Sequence, residues 1–97
     1  MIMKYTKQQL VPGCFYTCTE GNWVFPFVFK KFIEEDKNRI QAYALLTETK
    51  EFRGDDSELY ITGRVIRDCT WEELDLLTSK IKENGIIIPQ NNFYEIY

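Results

Sequence analysis

Ninety-seven residues with 44% hydrophobic and 15% aromatic content make one globular domain, too apolar for a disordered chain. A formal net charge of −3, with Lys and Arg interleaved among Glu and Asp, argues against affinity built on neutralising phosphates and is too slight for a nucleic-acid mimic. No apolar run approaches the ~18 residues that span a bilayer, and Met1-Ile2-Met3-Lys4-Tyr5 lacks the apolar stretch of a secretory leader. No membrane association is therefore expected, and the expected location is cytoplasmic.

Thr6-Lys7-Gln8-Gln9 has the form of a capping box and predicts a short helical turn through Leu10. Pro12-Gly13 reads as a tight turn. Cys14 to Thr19 is β-prone, and Glu20-Gly21-Asn22 turns the chain. Trp23 to Glu34 is the strongest strand signal, apolar on both parities up to Phe29. Glu35 to Asn38 turns again, Arg39 to Thr49 is a third strand, Lys50 to Ser57 a polar loop and Glu58 to Arg67 a fourth strand.

Thr70-Trp71-Glu72-Glu73 is a second capping box, opening a helix on which Leu74, Leu77 and Ile81 share a stripe that Trp71 extends. Glu72, Glu73 and Asp75 near its start and Lys80 and Lys82 near its end suit the helix dipole, and Gly85 is a natural stop. Ile86 to Ile88 and Phe93 to Tyr97 read as short strands around Pro89-Gln90-Asn91-Asn92. This order predicts a single α+β domain over residues 1–97. Its architecture is an antiparallel β-meander, a small sheet or partly open barrel, packed against one C-terminal helix that is followed by a short strand or hairpin.

If the 35–38 turn closes a simple hairpin, Ile33 faces Ile40, Phe29 faces Ala44 and Phe27 faces Leu46. If Thr49 then faces Glu58, these pairs line up on one face with Phe25, Ala42, Ile61, Gly63 and Val65. Ala42, Ala44 and Gly63 leave a hollow there, to be filled by Trp71 or Leu74. The opposite face collects Val28, Phe32, Tyr43, Leu45, Tyr60 and Arg64, beside Pro26, Thr47, Thr62 and Ile66. Tyr and Arg among aliphatics is an interface composition, and a monomer seldom leaves a large apolar patch in water. Barrel curvature or the C-terminal strands, a second copy, or a ligand or partner would cover this face. Val28, Phe32, Tyr43, Leu45, Tyr60 and Arg64 are thus the candidate binding residues. Pro26 lacks a ladder donor and calls for an edge, a bulge or a bend.

The absence of His removes Ser–His and Cys–His nucleophile pairs and imidazole metal ligands. Cys14 and Cys18, on one strand, would stand about 13 Å apart, too far to grip one zinc ion. Three Cys, an odd number, fit reduced structural thiols. Glu34-Glu35, Asp55-Asp56 and Glu72-Glu73 are accounted for by turns and a helix cap, and there is no Gly-rich phosphate loop. No catalytic residue, metal or cofactor is expected. An enzyme built on Cys14 or Asp55-Asp56 at a pocket mouth is the least favoured reading.

The run Asp68-Cys69-Thr70-Trp71-Glu72-Glu73, then Leu76-Leu77, then Lys82-Glu83-Asn84-Gly85, is similar to a recurring C-terminal unit of small phage- and prophage-type proteins of gut bacteria. Gly85 to Phe93 stands in the place of that unit's aromatic-bearing hairpin. The Trp that usually follows the Gly is missing, and Cys69 stands where Ala is common. The resemblance implies a viral accessory setting and carries no activity. The resulting expectation is a non-enzymatic accessory binding protein that self-associates and occludes a host protein or sequesters a small anionic ligand, Arg64 pairing with the anion. A small nucleic-acid-binding barrel, its aromatics stacking bases, is the alternative, disfavoured by net charge.

Overall fold

Glycines and capping residues punctuate the chain where local chemistry requires it. The computed structural model describes residues 4–54 and 56–89. Thr6 and Gln9 close their capping box around a 3₁₀ turn, Lys7–Gln9. Gly13 takes φ 85° in the turn after Pro12, and Gly21 takes φ 59° in the two-residue loop between Glu20 and Trp23. The strands are β1 Lys4–Tyr5, β2 Phe15–Glu20, β3 Trp23–Phe32, β4 Arg39–Leu46, β5 Phe52–Arg53, β6 Ser57–Tyr60 and β7 Val65–Arg67; the helix, α1, is Trp71–Glu83. They form one antiparallel sheet in the order β1-β7-β2-β3-β4-β5, with β6 also on β4, packed against α1. The sheet does not close, and the architecture is the expected α+β one.

The β3–β4 register differs from the simple hairpin. Phe27 pairs with Leu45, Val28 with Ala44, Phe29 with Ala42, Lys31 with Gln41 and Phe32 with Ile40. Tyr43 is an extra residue on β4 and Lys30 an extra residue on β3, two bulges that compensate each other. The two meet: Lys30 Nζ lies 5.2 Å from the Tyr43 ring centroid and also pairs with Asp56 at 2.6 Å. Each bulge reverses the parity of its strand, so Ala42 and Leu45 share one side of the sheet, as do Phe29 and Phe32.

Two cores result. The inner one joins Phe25, Phe27 and Phe29 to Tyr16, Cys18, Ile40, Leu59, Ile61 and Ile66, and the sheet curls around it. The outer one sets Leu77 and Ile81 of α1 against Val28, Ala44 and Leu46. The helix therefore packs on Ala44 and Leu46, as expected of them, but together with Val28 of the opposite expected face and not with Phe27, Phe29 or Ala42, and Leu77 and Ile81 rather than Trp71 or Leu74 make the contact. Trp71 is 81% exposed, because at about 100° per residue it sits roughly 240° round the helix from Leu77.

The expected fourth strand is broken. Thr62-Gly63 turns the chain, Gly63 at φ 80° and the Arg64 N–H donating to the Ile61 carbonyl at 3.1 Å. β6 stays on β4, with Ala42 opposite Ser57, while β7 crosses to β2, with Thr17 opposite Arg67 and Thr19 opposite Val65. The 50–57 loop contributes β5, Leu46 facing Phe52. A Cβ at Gly63 meets nothing within 4 Å, so only backbone conformation resists a side chain there. Gly63→Ala should lower stability by about 1–2 kcal/mol and Gly63→Asn by less, as read from urea unfolding midpoints.

Pro26 lies in a central strand without a bulge. Pairs alternate along an antiparallel ladder; counted from the hairpin, Thr17–Pro26 is a non-hydrogen-bonded pair, so the proline nitrogen faces β4. The β3–β4 pairing starts at Phe27–Leu45, so the proline stands at the very beginning of that ladder. After the helix, Gly85 (φ 66°) donates to Lys82 O and Ile86 to Ile81 O at 3.2 and 3.1 Å, a Schellman stop. Ile86 to Ile88 form no strand; Ile86 and Ile88 pack on the outer core instead. The strand expected at Phe93 to Tyr97 lies outside the described residues.

Candidate functional site

The six candidate binding residues do not form one surface. Val28 is buried under α1 in the outer core, whereas Leu45 is buried in the inner one. Phe32 packs edge-on against Phe29 with ring centroids 5.2 Å apart, at the margin of the inner core. Tyr43 lies at the margin of the outer core beneath Lys30. Only Tyr60 and Arg64 come together: Arg64 donates to the Tyr60 carbonyl at 2.9 Å, bonds Glu20 at 3.2 Å and stacks 4.9 Å from the Phe25 ring centroid. Phe27 and Leu46, expected to face each other, belong to different cores. The shifted register and the two bulges split the face.

A denser polar constellation joins β2, β7 and the start of α1. The Arg67 fork donates to both Glu73 oxygens at 2.8 and 2.9 Å. The Thr17 hydroxyl donates to Glu73 Oε1 at 2.9 Å, as does the Thr70 N–H at 2.8 Å, and the Glu73 N–H donates in return to Thr70 Oγ1 at 3.2 Å. Burial alone would raise the Glu73 carboxyl; these donors overcome it and hold the pKa down at about 2. Cys69 Sγ lies 3.3 Å from Thr17 Oγ1. The single hydroxyl proton goes to the carboxylate, so the thiol donates back to the hydroxyl oxygen. Burial pushes the Cys69 and Cys18 thiols up to about 11, leaving both protonated and poorly nucleophilic. With four donors converging on its carboxylate, Glu73 acts as a clamp between helix and sheet.

Beside this clamp runs a groove of about 440 Å³. Val24, Pro26, Leu46 and Leu76 supply its apolar surface. Its walls are Asn22 of the β2–β3 hairpin, Thr47, Glu48 and Lys50 of the β4–β5 turn, and Thr70, Glu72 and Glu73 at the start of α1. Lys50, at φ 66°, is held in place by its N–H to the Thr47 carbonyl at 2.8 Å. No protein-family model, curated protein or solved structure matches this chain. The reading of the groove accordingly rests on its chemistry.

Glu48, Glu72 and Lys50 are exposed and make no ion pair among the described residues. Across the strands, Val24 lies opposite Thr19 and Thr19 opposite Val65, which is 44% exposed. Trp71 stands at the first helical position, between the lining residues Thr70 and Glu72. Sequence reasoning put Trp71 on the buried stripe and missed the groove. Its position off the Leu77–Ile81 line was the available signal.

Proposed function

We propose that this chain is a non-enzymatic binding protein that captures a segment of a partner protein in the groove beside the first turn of α1. The segment would place an apolar side chain against Val24, Pro26, Leu46 and Leu76 and a basic one between Glu48 and Glu72. Trp71 adds contact area and a face for a guanidinium or ammonium group. The viral accessory setting implied by the C-terminal resemblance makes a host protein the natural partner. The observation that carries this reading is an apolar floor flanked by Glu48 and Glu72, two carboxylates against the one ammonium of Lys50, none of the three with an ion partner among the described residues, on a frame clamped by Glu73 and Arg67. The absence of His, the protonated buried thiols and the Glu73 carboxylate held ionised by four donors all favour binding over catalysis.

The test uses Trp71 fluorescence in a Trp23→Phe background, with short peptides carrying Leu-Leu-Arg and their Leu-Leu-Glu counterparts. The Arg peptides should bind saturably and roughly tenfold or more tighter than the Glu peptides, a difference of about 1.4 kcal/mol. Glu72→Lys should erase that preference and Leu76→Arg should abolish binding. Equal responses to both peptides, or binding unaffected by Leu76→Arg, would refute the reading.

A further inference from the structure

We propose that the partner segment enters the groove as an extended strand and pairs its backbone with Val24, an inference that rests on the groove reading above and adds the partner's conformation. β3 is paired to β2 from Trp23 onwards, but its pairing to β4 starts only at Phe27–Leu45. From Trp23 to Pro26 the β4 side of β3 is therefore open. There β4 leaves β3 for its hairpin with β5: the Thr47 N–H donates to the Glu51 carbonyl at 2.9 Å and the Lys50 N–H to the Thr47 carbonyl at 2.8 Å. No backbone bond joins this turn to Val24 among the described residues. The groove occupies the gap, with Val24 and Pro26 on one bank and Leu46, Thr47, Glu48 and Lys50 on the other.

The alternation that turns the Pro26 nitrogen towards β4 does the same for Val24. Thr19–Val24 is, like Thr17–Pro26, a non-hydrogen-bonded pair, so the Val24 N–H and carbonyl point away from β2 into the gap. One residue offering both groups is what an added antiparallel strand requires for a close pair of hydrogen bonds. The Pro26 nitrogen has no hydrogen to give, so this pairing is confined to Val24 and the recognised stretch is short. Val24 has the parity of Val28, which packs under α1. Paired residues share a face, so the partner residue opposite Val24 turns its side chain onto the apolar floor, and the residue two further along lies on that face too. An acetylated Leu-Leu-Arg segment meets both demands with its first Leu opposite Val24 and its Arg towards Glu48 and Glu72. A helical segment does not, because its N–H groups are spent within the helix.

The experiment is amide hydrogen exchange and NMR titration of the whole chain with acetylated Leu-Leu-Arg and its two forms N-methylated at one Leu. In the free chain the Val24 amide should exchange roughly tenfold or more faster than those of Phe25 and Phe27, which β2 holds. Peptide should shift it saturably and protect it. N-methylation of the first Leu should weaken binding roughly tenfold, that of the second by less than about threefold. Val24→Pro, which removes a hydrogen that β2 does not use, should weaken the peptide similarly, and Val24→Ile should not. The proposal is overturned if the Val24 amide is as protected as that of Phe25 in the free chain, or if its protection follows protein concentration, which would put a second copy in the gap. It is also overturned if both N-methylated peptides bind like the parent. That last result, with binding still lost in Leu76→Arg, would leave the groove reading standing, whereas failure of every peptide to bind would remove both.

Discussion

Glu73→Ala should destabilise the domain by about 3 kcal/mol, a large share of the roughly 5–15 kcal/mol that holds a domain of this size folded. The substitution removes the partner of the Arg67 fork and leaves the Thr17 hydroxyl and Thr70 amide without their acceptor. The Glu73 and Arg67 side chains are only 16% and 19% exposed, so water relieves the loss in part. Glu73→Gln, which keeps an acceptor for Thr70 but not the charge, should cost less. Acid should act as the native chain's own version of this substitution. The folded pKa of about 2 lies below the ordinary 4.5, so the clamp contributes fully above about pH 5 and its contribution fades as pH falls through 4.5 towards 2. That difference corresponds to about 3 kcal/mol. Urea unfolding at pH 7 and pH 3 should show a smaller acid loss for Glu73→Gln than for the native chain. An equal acid loss in both would mean that another carboxylate governs the transition.

What could be read in the sequence was whatever short-range chemistry decides. Thr6 with Gln9, Thr70 with Glu73, Gly21 in its hairpin and Gly85 after the helix each act over a few residues, and each acts as expected. The β3–β4 register escaped because its determinants are distant in sequence. Lys30 bulges out to meet Tyr43 and Asp56, and nothing in the alternation of Trp23 to Phe32 announces those partners. Because β3 is covered on both faces, by the inner core and by α1, both its parities are apolar and neither identifies the helix side. The groove escaped for the same reason, being assembled from the neighbourhoods of Val24, Leu46 and Leu76. Glu73 was legible as a cap, but its hold on Thr17 and Arg67 depends on β7 crossing to β2, which the turn at Gly63 permits.

Phe27→Ala should cost about 4 kcal/mol, within the range for truncating a fully buried aromatic, and lower Tm by roughly 15–30 °C. Phe27 is 0% exposed, sits in the inner core and stacks on Tyr16 with ring centroids 5.8 Å apart. Milder substitutions at the same site test the register directly. A simple hairpin would bring Phe27 and Leu46 together on one face; in the structure they point into cores on opposite sides of the sheet. A double-mutant cycle of Phe27→Leu with Leu46→Val should therefore show coupling below about 0.5 kcal/mol, whereas Phe27→Leu with Tyr16→Leu should exceed it. Strong coupling of Phe27 to Leu46 without coupling to Tyr16 would restore the unbulged register. It would also undo the placement of α1 over Val28, and with it the groove that α1 helps to wall.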